Sequence, residues 1–401
     1  MIRVKAETPV YGGYVIARND GVIFVKGALP GETIDAEVIE KRKDYSIALA
    51  REVIEPSSFR VEPECPYFGL CGGCHLQHIA YDEQVSMKSA IISDSMRRIA
   101  GVEITPGVPL AGNNFHYRQR AQFKVSGAGK IGFYKEGTRE IVDIRACPLM
   151  TESINSMLAK LRGLSTDGVR EIHVTDSGSG LAAFIKGKGF DENFAEEYIN
   201  AGFESVVFDD GSFRGRGYVT FDLSGLKYTV SPWSFFQSNW PLNCVVAETV
   251  KSVLEPLEDE NILDLYAGGG NFSILLSDRA GKITAVEESA ASVKDGIRNL
   301  ELNGIKNMKF ARSPIEKFFP PKGGKFDTVI VDPPRPGLTK DAMNRLLETE
   351  AKRILYISCN PTTLARDIKR LSSSYRLEWI RPVDFFPNTY HIEALCLLAR
   401  L

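Results

Sequence analysis

Residues 261–273 read Asn261-Ile-Leu-Asp-Leu-Tyr-Ala-Gly-Gly-Gly-Asn-Phe-Ser273, and this segment carries the strongest signal for the fold. A short apolar run, typical of a buried strand, leads into three consecutive glycines. Glycine permits a tight backbone turn and lets a ligand approach the main chain closely. In open α/β sheets, ligands bind beyond the carboxyl ends of the strands. The stretch therefore predicts a strand, a ligand-binding turn and the start of a helix.

The same rhythm of strand and helix continues to the C-terminus. Apolar runs predict strands at 261–266, 283–287, 328–332, 354–358 and 395–398. Helical patterns lie between them at 290–303 and 362–373, and one precedes them at 242–254. Continuous apolar strands alternating with helices indicate a parallel sheet covered on both faces. We therefore predict a Rossmann-like α/β domain over residues 231–401.

The N-terminal part of the chain has a different pattern. Residues 1–56 contain five short apolar alternations punctuated by glycine turns. This pattern is typical of a small β-barrel of the OB type, a frequent nucleic-acid platform, and equally of a generic β module. Residues 57–230 begin with a loop rich in Pro, Gly and Cys and continue with mixed strands and helices. We predict a multidomain protein with an N-terminal barrel, a central α+β domain and the C-terminal α/β domain.

Composition limits the classes of function. The 401 residues carry a net charge of −2, so binding of nucleic acid requires a local basic patch. The N-terminus lacks an apolar leader, and no apolar stretch reaches membrane length. Seven cysteines in a chain without an export signal favour metal binding or catalysis over disulfides. We expect a cytoplasmic monomer that does not contact membranes.

The glycine turn is compatible with three kinds of nucleotide-like ligand. A P-loop is excluded because no Gly-x-x-x-x-Gly-Lys motif follows a strand. A dinucleotide site is disfavoured because Ser273 occupies the position of its third glycine. S-adenosylmethionine needs only the tight turn and an acidic partner for its ribose, and Glu287 at the end of the next strand supplies that partner. Asp332, which precedes Pro333 and ends another strand, is expected to face the same site.

A cysteine at the end of a strand is the candidate nucleophile. The strand at 354–358 leads into Cys359-Asn360-Pro361, where proline disfavours continuation of the strand and biases Asn360 toward an extended conformation. A thiolate is the strongest nucleophile among ordinary side chains. A buried structural cysteine is the alternative, and the neighbouring motifs favour the nucleophile.

A second group of cysteines lies in the glycine-rich loop Cys65-Pro-Tyr-Phe-Gly-Leu-Cys71-Gly-Gly-Cys74. These three thiols, with Cys147 as a fourth, could hold a metal. Zinc ribbons usually contain two Cys-x-x-Cys knuckles, whereas this loop contains one, so an iron–sulfur cluster is at least as plausible.

Basic and aromatic residues alternate between Phe115 and Lys135. Such a stretch can hold phosphates with its charges and stack its rings on unpaired bases. An ordinary strand pair with a solvated basic face explains the pattern equally well.

Taken together and in this order, the motifs resemble those of the RNA uridine-C5 methyltransferases, which use S-adenosylmethionine to make 5-methyluridine in ribosomal and transfer RNA. The likeness spans essentially the whole chain. Segment 27–32 looks like part of the family's RNA-binding TRAM barrel. The resemblance implies that a 4Fe-4S cluster binds to four cysteines: Cys65, Cys71, Cys74 and Cys147. It also implies that S-adenosylmethionine contacts five residues: Gln237, Tyr266, Asn271, Glu287 and Asp332.

The resemblance further places the nucleophile on Cys359 and the general base on Glu393, within Phe386-Pro-Asn-Thr-Tyr-His-Ile-Glu-Ala394. Cys359 would add to C6 of uracil, C5 would take the methyl group, and Glu393 would remove the C5 proton. Ribosomal 23S RNA is the expected substrate, and uridine 54 of transfer RNA is the alternative. A C5-cytosine methyltransferase and an inactive metal-containing RNA-binding protein are further alternatives, which the Ser-Cys-Asn-Pro motif and the two catalytic residues disfavour.

Overall fold

A computed structural model describes residues 1–255, 258–319 and 325–401. Within these residues the chain forms a closed barrel, two seven-stranded sheets and a two-stranded hairpin. Three successive parts of the sequence build them: the barrel first, then a central sheet, then the C-terminal sheet. None of the helices in the described ranges is long and apolar enough to cross a membrane.

The N-terminal barrel closes in the order β1-β2-β3-β5-β4. Its strands are β1 (Ile2–Val10), β2 (Tyr14–Arg18), β3 (Val22–Lys26), β4 (Thr33–Lys41) and β5 (Tyr45–Glu55). Inward positions carry small or β-branched side chains, among them the fully buried Val25, Ile34 and Ala48. Such side chains fill the narrow interior of a five-stranded barrel. The predicted barrel is confirmed.

The central part begins with a loop over residues 57–80 and continues into a long helix. Its sheet has the strand order β12-β11-β10-β9-β6-β7-β8. The elements are α1 (Tyr81–Ser95), extended by a π-helical turn (Met96–Ala100), then β6 (Arg120–Val125), β7 (Ile131–Tyr134), β8 (Ile141–Asp143), α2 (Glu152–Leu161), β9 (Val169–Asp176), β10 (Leu181–Gly187), α3 (Glu192–Ala201), β11 (Phe203–Phe208) and β12 (Phe213–Arg214).

Much of the predicted basic and aromatic RNA-binding stretch has a structural role instead. Phe123 is fully buried in the central core, and Tyr117 is buried with its hydroxyl donating to the carbonyl of Pro387 at 3.1 Å. Arg120 donates to the carbonyls of Pro232 and Ser234 at 2.9 and 3.2 Å. Of the two interpretations that the sequence left open, the ordinary strand pair accounts for these three side chains. They hold together segments that border the candidate active site.

The C-terminal sheet has the order β17-β16-β15-β18-β19-β21-β20. Its elements follow the hairpin β13 (Val219–Leu223) and β14 (Leu226–Val230). They are α4 (Trp240–Leu254), β15 (Asn261–Leu265), α5 (Ser273–Leu276), β16 (Lys282–Glu287), α6 (Ala290–Leu302), β17 (Met308–Arg312), a 3₁₀ turn (Ile315–Lys317), β18 (Thr328–Val331), α7 (Lys340–Glu348), β19 (Arg353–Ser358), α8 (Pro361–Leu371), β20 (Tyr375–Val383) and β21 (Glu393–Arg400).

The prediction of a wholly parallel sheet is wrong at one edge. Strands β15 to β19 are parallel, but β21 runs antiparallel to β19, and β20 runs antiparallel to β21. Strand β20 was not predicted, because its exposed and buried residues alternate rather than forming a continuous apolar run. The reversal places the start of β21 beside the end of β19.

Candidate active site

The glycine turn after β15 has the conformation that its sequence predicts. Gly268 and Gly270 have positive φ angles of 56° and 89°, and Tyr266 has a φ of 61°. A side chain at Gly269 would lie 2.9 Å from the hydroxyl oxygen of Tyr228, so this position admits only glycine without rearrangement. The turn is therefore held tightly against the β13–β14 hairpin.

Glu287 lies beside this turn, as the sequence predicted. Its carboxylate accepts hydrogen bonds from the backbone amides of Gly268, at 2.9 Å, and Ser289, at 2.7 Å. These two bonds fix the carboxylate at the carboxyl end of β16. A carboxylate at this place in a Rossmann-like sheet is suited to bind a ribose hydroxyl.

A cleft of about 430 Å³ opens above the turn. Four of the five predicted cofactor residues line it: Gln237, Tyr266, Asn271 and Asp332. The side chains of Asn271 and Asn243 exchange two hydrogen bonds, at 2.8 and 2.9 Å, which fix the Asn271 amide. The structure thus brings the predicted set together around one cavity, with Glu287 at its border.

Two buried polar atoms in the cleft have no hydrogen-bond partner among the described residues. They are Oε1 of Gln237 and Oδ2 of Asp264. Buried polar groups in native proteins are nearly always paired, so unpaired ones at a cavity indicate a place for a ligand or for water. The cleft also contains aromatic surface from Phe235, Phe236 and Trp240. This combination of rings and a few convergent polar atoms is typical of a small-molecule site.

Two acidic residues in the cleft have strongly perturbed acidity. Burial, and the nearby charge of Glu287, raise the pKa of Asp264 to about 7. Burial and the charge of Asp264 raise the pKa of Asp332 to about 7. A cationic ligand would favour the ionised forms of both carboxyl groups.

The candidate nucleophile and base lie on neighbouring strands at the same edge of the sheet. Ser358, the last residue of β19, pairs with Ala394 of β21. Cys359 follows Ser358 and Glu393 precedes Ala394, so the antiparallel pairing brings the two residues to the same sheet end. Asn360 caps α8 by accepting bonds from the amides of Thr362 and Thr363, which turns the chain directly after Cys359.

Burial and neighbouring acidic groups raise the pKa of both residues. Burial, followed by the charges of Glu393 and Asp332, raises the pKa of Cys359 to about 11. Burial and the charges of Asp332 and Asp384 raise the pKa of Glu393 well above its ordinary value. Arg335, in the turn after Asp332, lowers the pKa of both Cys359 and Glu393. A thiol and a carboxyl group with coupled acidity are typical of a catalytic site.

The N-terminal barrel reaches this site. The hydroxyl of Tyr11, between β1 and β2, donates to the carbonyl of Cys359 at 3.5 Å. The Tyr11 ring packs edge-on against the Tyr390 ring at a centroid distance of 5.9 Å. The ring of His75, in the cysteine loop, also packs against Tyr390, at 4.6 Å. The barrel therefore borders the nucleophile through Tyr11, and the cysteine loop reaches the same group of rings through Tyr390.

The four cysteines proposed as metal ligands lie close enough for their charges to affect one another. The charges of Cys65 and Cys71 raise the pKa values of Cys74 and Cys147, after the larger effect of burial. Yet in residues 1–255, 258–319 and 325–401 no three His, Cys, Asp or Glu side chains form a group that could hold a metal ion. The thiols are free.

Sequence reasoning missed several residues of the site. Asp264 lies inside an apolar strand, where an acidic residue is itself a signal of function. Tyr11 carries no local signal, because only the tertiary fold brings it to the site. Arg335 could have been found from its position three residues after Asp332, at the same strand end.

Comparisons with known proteins agree with this geometry. The family model described as tRNA (Uracil-5-)-methyltransferase matches residues 219–321 and 322–401. A relative from Aquifex aeolicus, named an uncharacterized RNA methyltransferase, is 34% identical over 99% of this chain and 98% of its own length. The chain belongs to the RNA uridine-C5 methyltransferase family.

Two further members of the RNA uridine-C5 methyltransferase family have more specific names. The 23S rRNA (uracil(1939)-C(5))-methyltransferase RlmD of Vibrio parahaemolyticus is 30% identical and covers 94% of this chain and 91% of its own length. The crystal structure of the Pyrococcus abyssi tRNA (uracil-54, C5)-methyltransferase, in complex with S-adenosyl-L-homocysteine, superposes with a TM-score of 0.80. It is 27% identical and covers 99% of this chain and 100% of its own.

Proposed function

We propose that this RNA methyltransferase transfers a methyl group from S-adenosylmethionine to C5 of a uridine, with Cys359 as nucleophile and Glu393 as general base. The observation that carries the proposal is the placement of Cys359 and Glu393 on adjacent, oppositely directed strands. The cofactor cleft lies at the same sheet edge, since Asp332 both lines the cleft and raises the pKa of Cys359 and Glu393.

The lining of the cleft suits S-adenosylmethionine in its chemistry. Its unpaired acceptor atoms, on Gln237 and Asp264, suit the cationic methionine part of the ligand. Glu287 is proposed to bind the ribose, and Tyr266 and Asn271 to border the ligand. When bound, S-adenosylmethionine supplies an electrophilic methyl group.

The chain's own residues account for the remaining steps. The Cys359 thiolate forms a bond to C6 of uracil, which places negative charge on O4 and makes C5 nucleophilic. After C5 has accepted the methyl group, the Glu393 carboxylate takes the C5 proton. The C5–C6 double bond then forms again and the Cys359 sulfur leaves as a thiolate.

Exposed aromatic side chains at the cleft support binding of an extruded base. Phe235 lines the cleft and is 69% exposed, and Trp233 is 47% exposed. Large exposed rings beside a cleft can stack on nucleotide bases. Arg120 donates hydrogen bonds to the carbonyls of Pro232 and Ser234, which fix the main chain on both sides of Trp233.

We also propose that Cys65, Cys71, Cys74 and Cys147 bind a 4Fe-4S cluster. Four thiols close enough to influence one another, three of them on a glycine-rich loop, are the donor set that this cluster requires. Iron and acid-labile sulfide analysis of anaerobically purified protein tests this proposal. Four equivalents of each are expected of a 4Fe-4S cluster, and Cys74→Ser should lower both. Zinc in place of iron would contradict it.

Three domains are proposed, with boundaries near residues 56 and 230. The barrel, the central sheet and the C-terminal sheet each have their own hydrogen-bond network, which supports this division. The first is proposed to be a TRAM barrel that binds RNA, and the central one is proposed to carry the iron–sulfur cluster.

The experiment that tests the function is transfer of labelled methyl groups to unmodified 23S ribosomal RNA and to transfer RNA transcripts, with the product nucleoside identified by mass spectrometry. We expect 5-methyluridine in ribosomal RNA, in line with the named activity of the RlmD relative. Methylation of transfer RNA alone would favour the activity named for the Pyrococcus protein. A 5-methylcytidine product would contradict the proposal.

A further inference from the structure

Helix α1 and the loop before it make several hydrogen bonds to the segment that leads into Glu393. The backbone amide of Asn388 donates to Oε1 of Gln84 at 2.9 Å, and Nε2 of Gln84 donates to Oδ1 of Asn388 at 3.0 Å. The carbonyl of Asn388 accepts the amides of His75 and Leu76. Asn388 has a φ of 65°, a conformation that few non-glycine residues adopt. The segment is therefore fixed in one conformation.

A buried ion pair lies at the centre of this contact. Lys88 Nζ is 2.7 Å from Oδ1 of Asp384, and their side chains are only 5% and 3% exposed. Lys88 also donates to the carbonyl of Phe386 at 3.1 Å. Oδ2 of Asp384 has no partner in the described part of the chain. Because burial of two charges costs as much as their attraction returns, such a pair is a poor device for stability, and a functional role is the better explanation.

We infer that Lys88 is a positioning residue that keeps Glu393 competent as the base, by holding its segment in place and by supplying a buried positive charge. The inference rests on the proposed role of Glu393. Lys88 touches neither of the proposed reacting groups through any of its hydrogen bonds, so it acts through Asp384 and the segment that follows.

The charges around Glu393 explain why a buried cation is needed. Asp332 from the end of β18 and Asp384 from the end of β20 disfavour its ionised form, and Arg335 and Lys88 favour it. Arg335 is exposed and therefore screened by solvent, whereas Lys88 is buried. The carboxyl group must be ionised to take the C5 proton, so the buried Lys88 charge opposes two acidic neighbours.

The test isolates the step in which Glu393 acts. Rapid-quench single turnovers follow the decay of the methylated covalent adduct between Cys359 and RNA as a function of pH. The decay rate rises with pH as Glu393 ionises. Lys88→Gln removes the charge but retains an amide that can hydrogen-bond, and we expect the rise to move to higher pH. At a pH below the rise, decay should slow about tenfold for each pKa unit.

Several variants separate an electrostatic role from a merely structural one. Lys88→Arg should keep the wild-type pH profile, and Lys88→Gln combined with Asp384→Asn should return most of the shift because opposing charges are both removed. Lys88→Met is a second uncharged replacement in case Lys88→Gln does not fold. Lys251→Met removes a lysine–carboxylate pair with Asp278 elsewhere and should leave the profile unchanged.

The outcomes distinguish this inference from the function on which it rests. A uniform loss of rate at every pH in both uncharged variants, without a shift of the profile, would overturn the role of Lys88. Decay of the adduct at the wild-type rate in Glu393→Gln would instead remove Glu393 from the base role, and the inference with it.

Discussion

The cofactor cleft and the nucleophile–base pair lie at one edge of the same sheet, but they are built in opposite ways. The cleft contains polar atoms without partners, on Gln237 and Asp264. The segment leading to Glu393 has its main chain bonded by Gln84, Lys88 and Tyr117. A site that must receive a ligand leaves polar atoms free, whereas the segment that must hold a proton acceptor in place has its main chain fixed by side-chain hydrogen bonds.

The difference shows where each part of the site can be altered. Changes in the cleft should alter ligand affinity and the stability of the ligand-free protein, with little effect on backbone conformation. Changes at the pair should alter individual chemical steps.

Glu393→Gln should have the largest effect, because it removes the proposed base and leaves the nucleophile in place. Loss of a general base typically costs about 10²–10⁴-fold in rate. Since Cys359 can still add and methyl transfer can still occur, a methylated covalent RNA adduct should accumulate. Denaturing gel electrophoresis with labelled S-adenosylmethionine measures it.

The matched control for that experiment is Cys359→Ala, which cannot form the adduct. It should bind RNA with wild-type affinity in a filter assay and give no labelled adduct and no product. If Cys359→Ala formed product, covalent catalysis by this residue would be excluded.

Local sequence was sufficient for some of this arrangement and insufficient for the rest. The glycine turn and the Cys359 turn were predictable because a strand, a breaking residue and a helix follow one another within a few residues. The proximity of Glu393 to Cys359 depends on the direct antiparallel pairing of β19 with β21, which follows the unpredicted strand β20 in the chain. No local pattern specifies that pairing, and only the family resemblance indicated Glu393.

In the stretch from Phe115 to Lys135, a local pattern was present but composition was given more weight. Its composition indicated RNA contacts, but alternation in β6 places Ala121, Phe123 and Val125 toward the core. That period of two was visible in the sequence and should have outweighed composition. Lys124 pairs with Glu171, which composition also could not reveal.

Asp264→Asn should raise the stability of the ligand-free protein and lower the affinity of the cleft for its ligand. Asp264 has a pKa near 7 when folded and an ordinary value near 4 when unfolded, so its burial destabilises the protein increasingly from pH 4 to pH 7 and by a constant amount above. The upper bound is ~4 kcal/mol. The apparent Tm at pH 8 should therefore rise in the variant, and the wild-type fall in Tm between pH 5 and pH 8 should diminish.

The same variant should lose affinity for S-adenosylmethionine by about 10-fold, as expected for loss of one charge-assisted hydrogen bond. Calorimetric titration measures this. Glu62→Gln, an exposed carboxylate, is the control and should change neither quantity. A variant with unchanged stability and unchanged affinity would show that Asp264 is not the free acceptor of the cleft.

The smallest of the expected effects is a change in the alkylation rate of Cys359. Its pKa of about 11 predicts slow alkylation by iodoacetamide at pH 7, with a rate that rises about tenfold per pH unit as the thiolate forms. Asp332→Asn removes a charge that raises this pKa and should speed alkylation a few-fold at pH 8, whereas Arg335→Met should slow it by a similar amount.

Peptide mass spectrometry resolves Cys359 from the other cysteines. Cys244, whose pKa is also about 11 but is raised by Asp222 and Glu248 after burial, is the internal reference and should respond to neither substitution. Equal responses at both cysteines would mean that the substitutions act through general opening of the protein, and the electrostatic link between the acidic turn and the nucleophile would be lost.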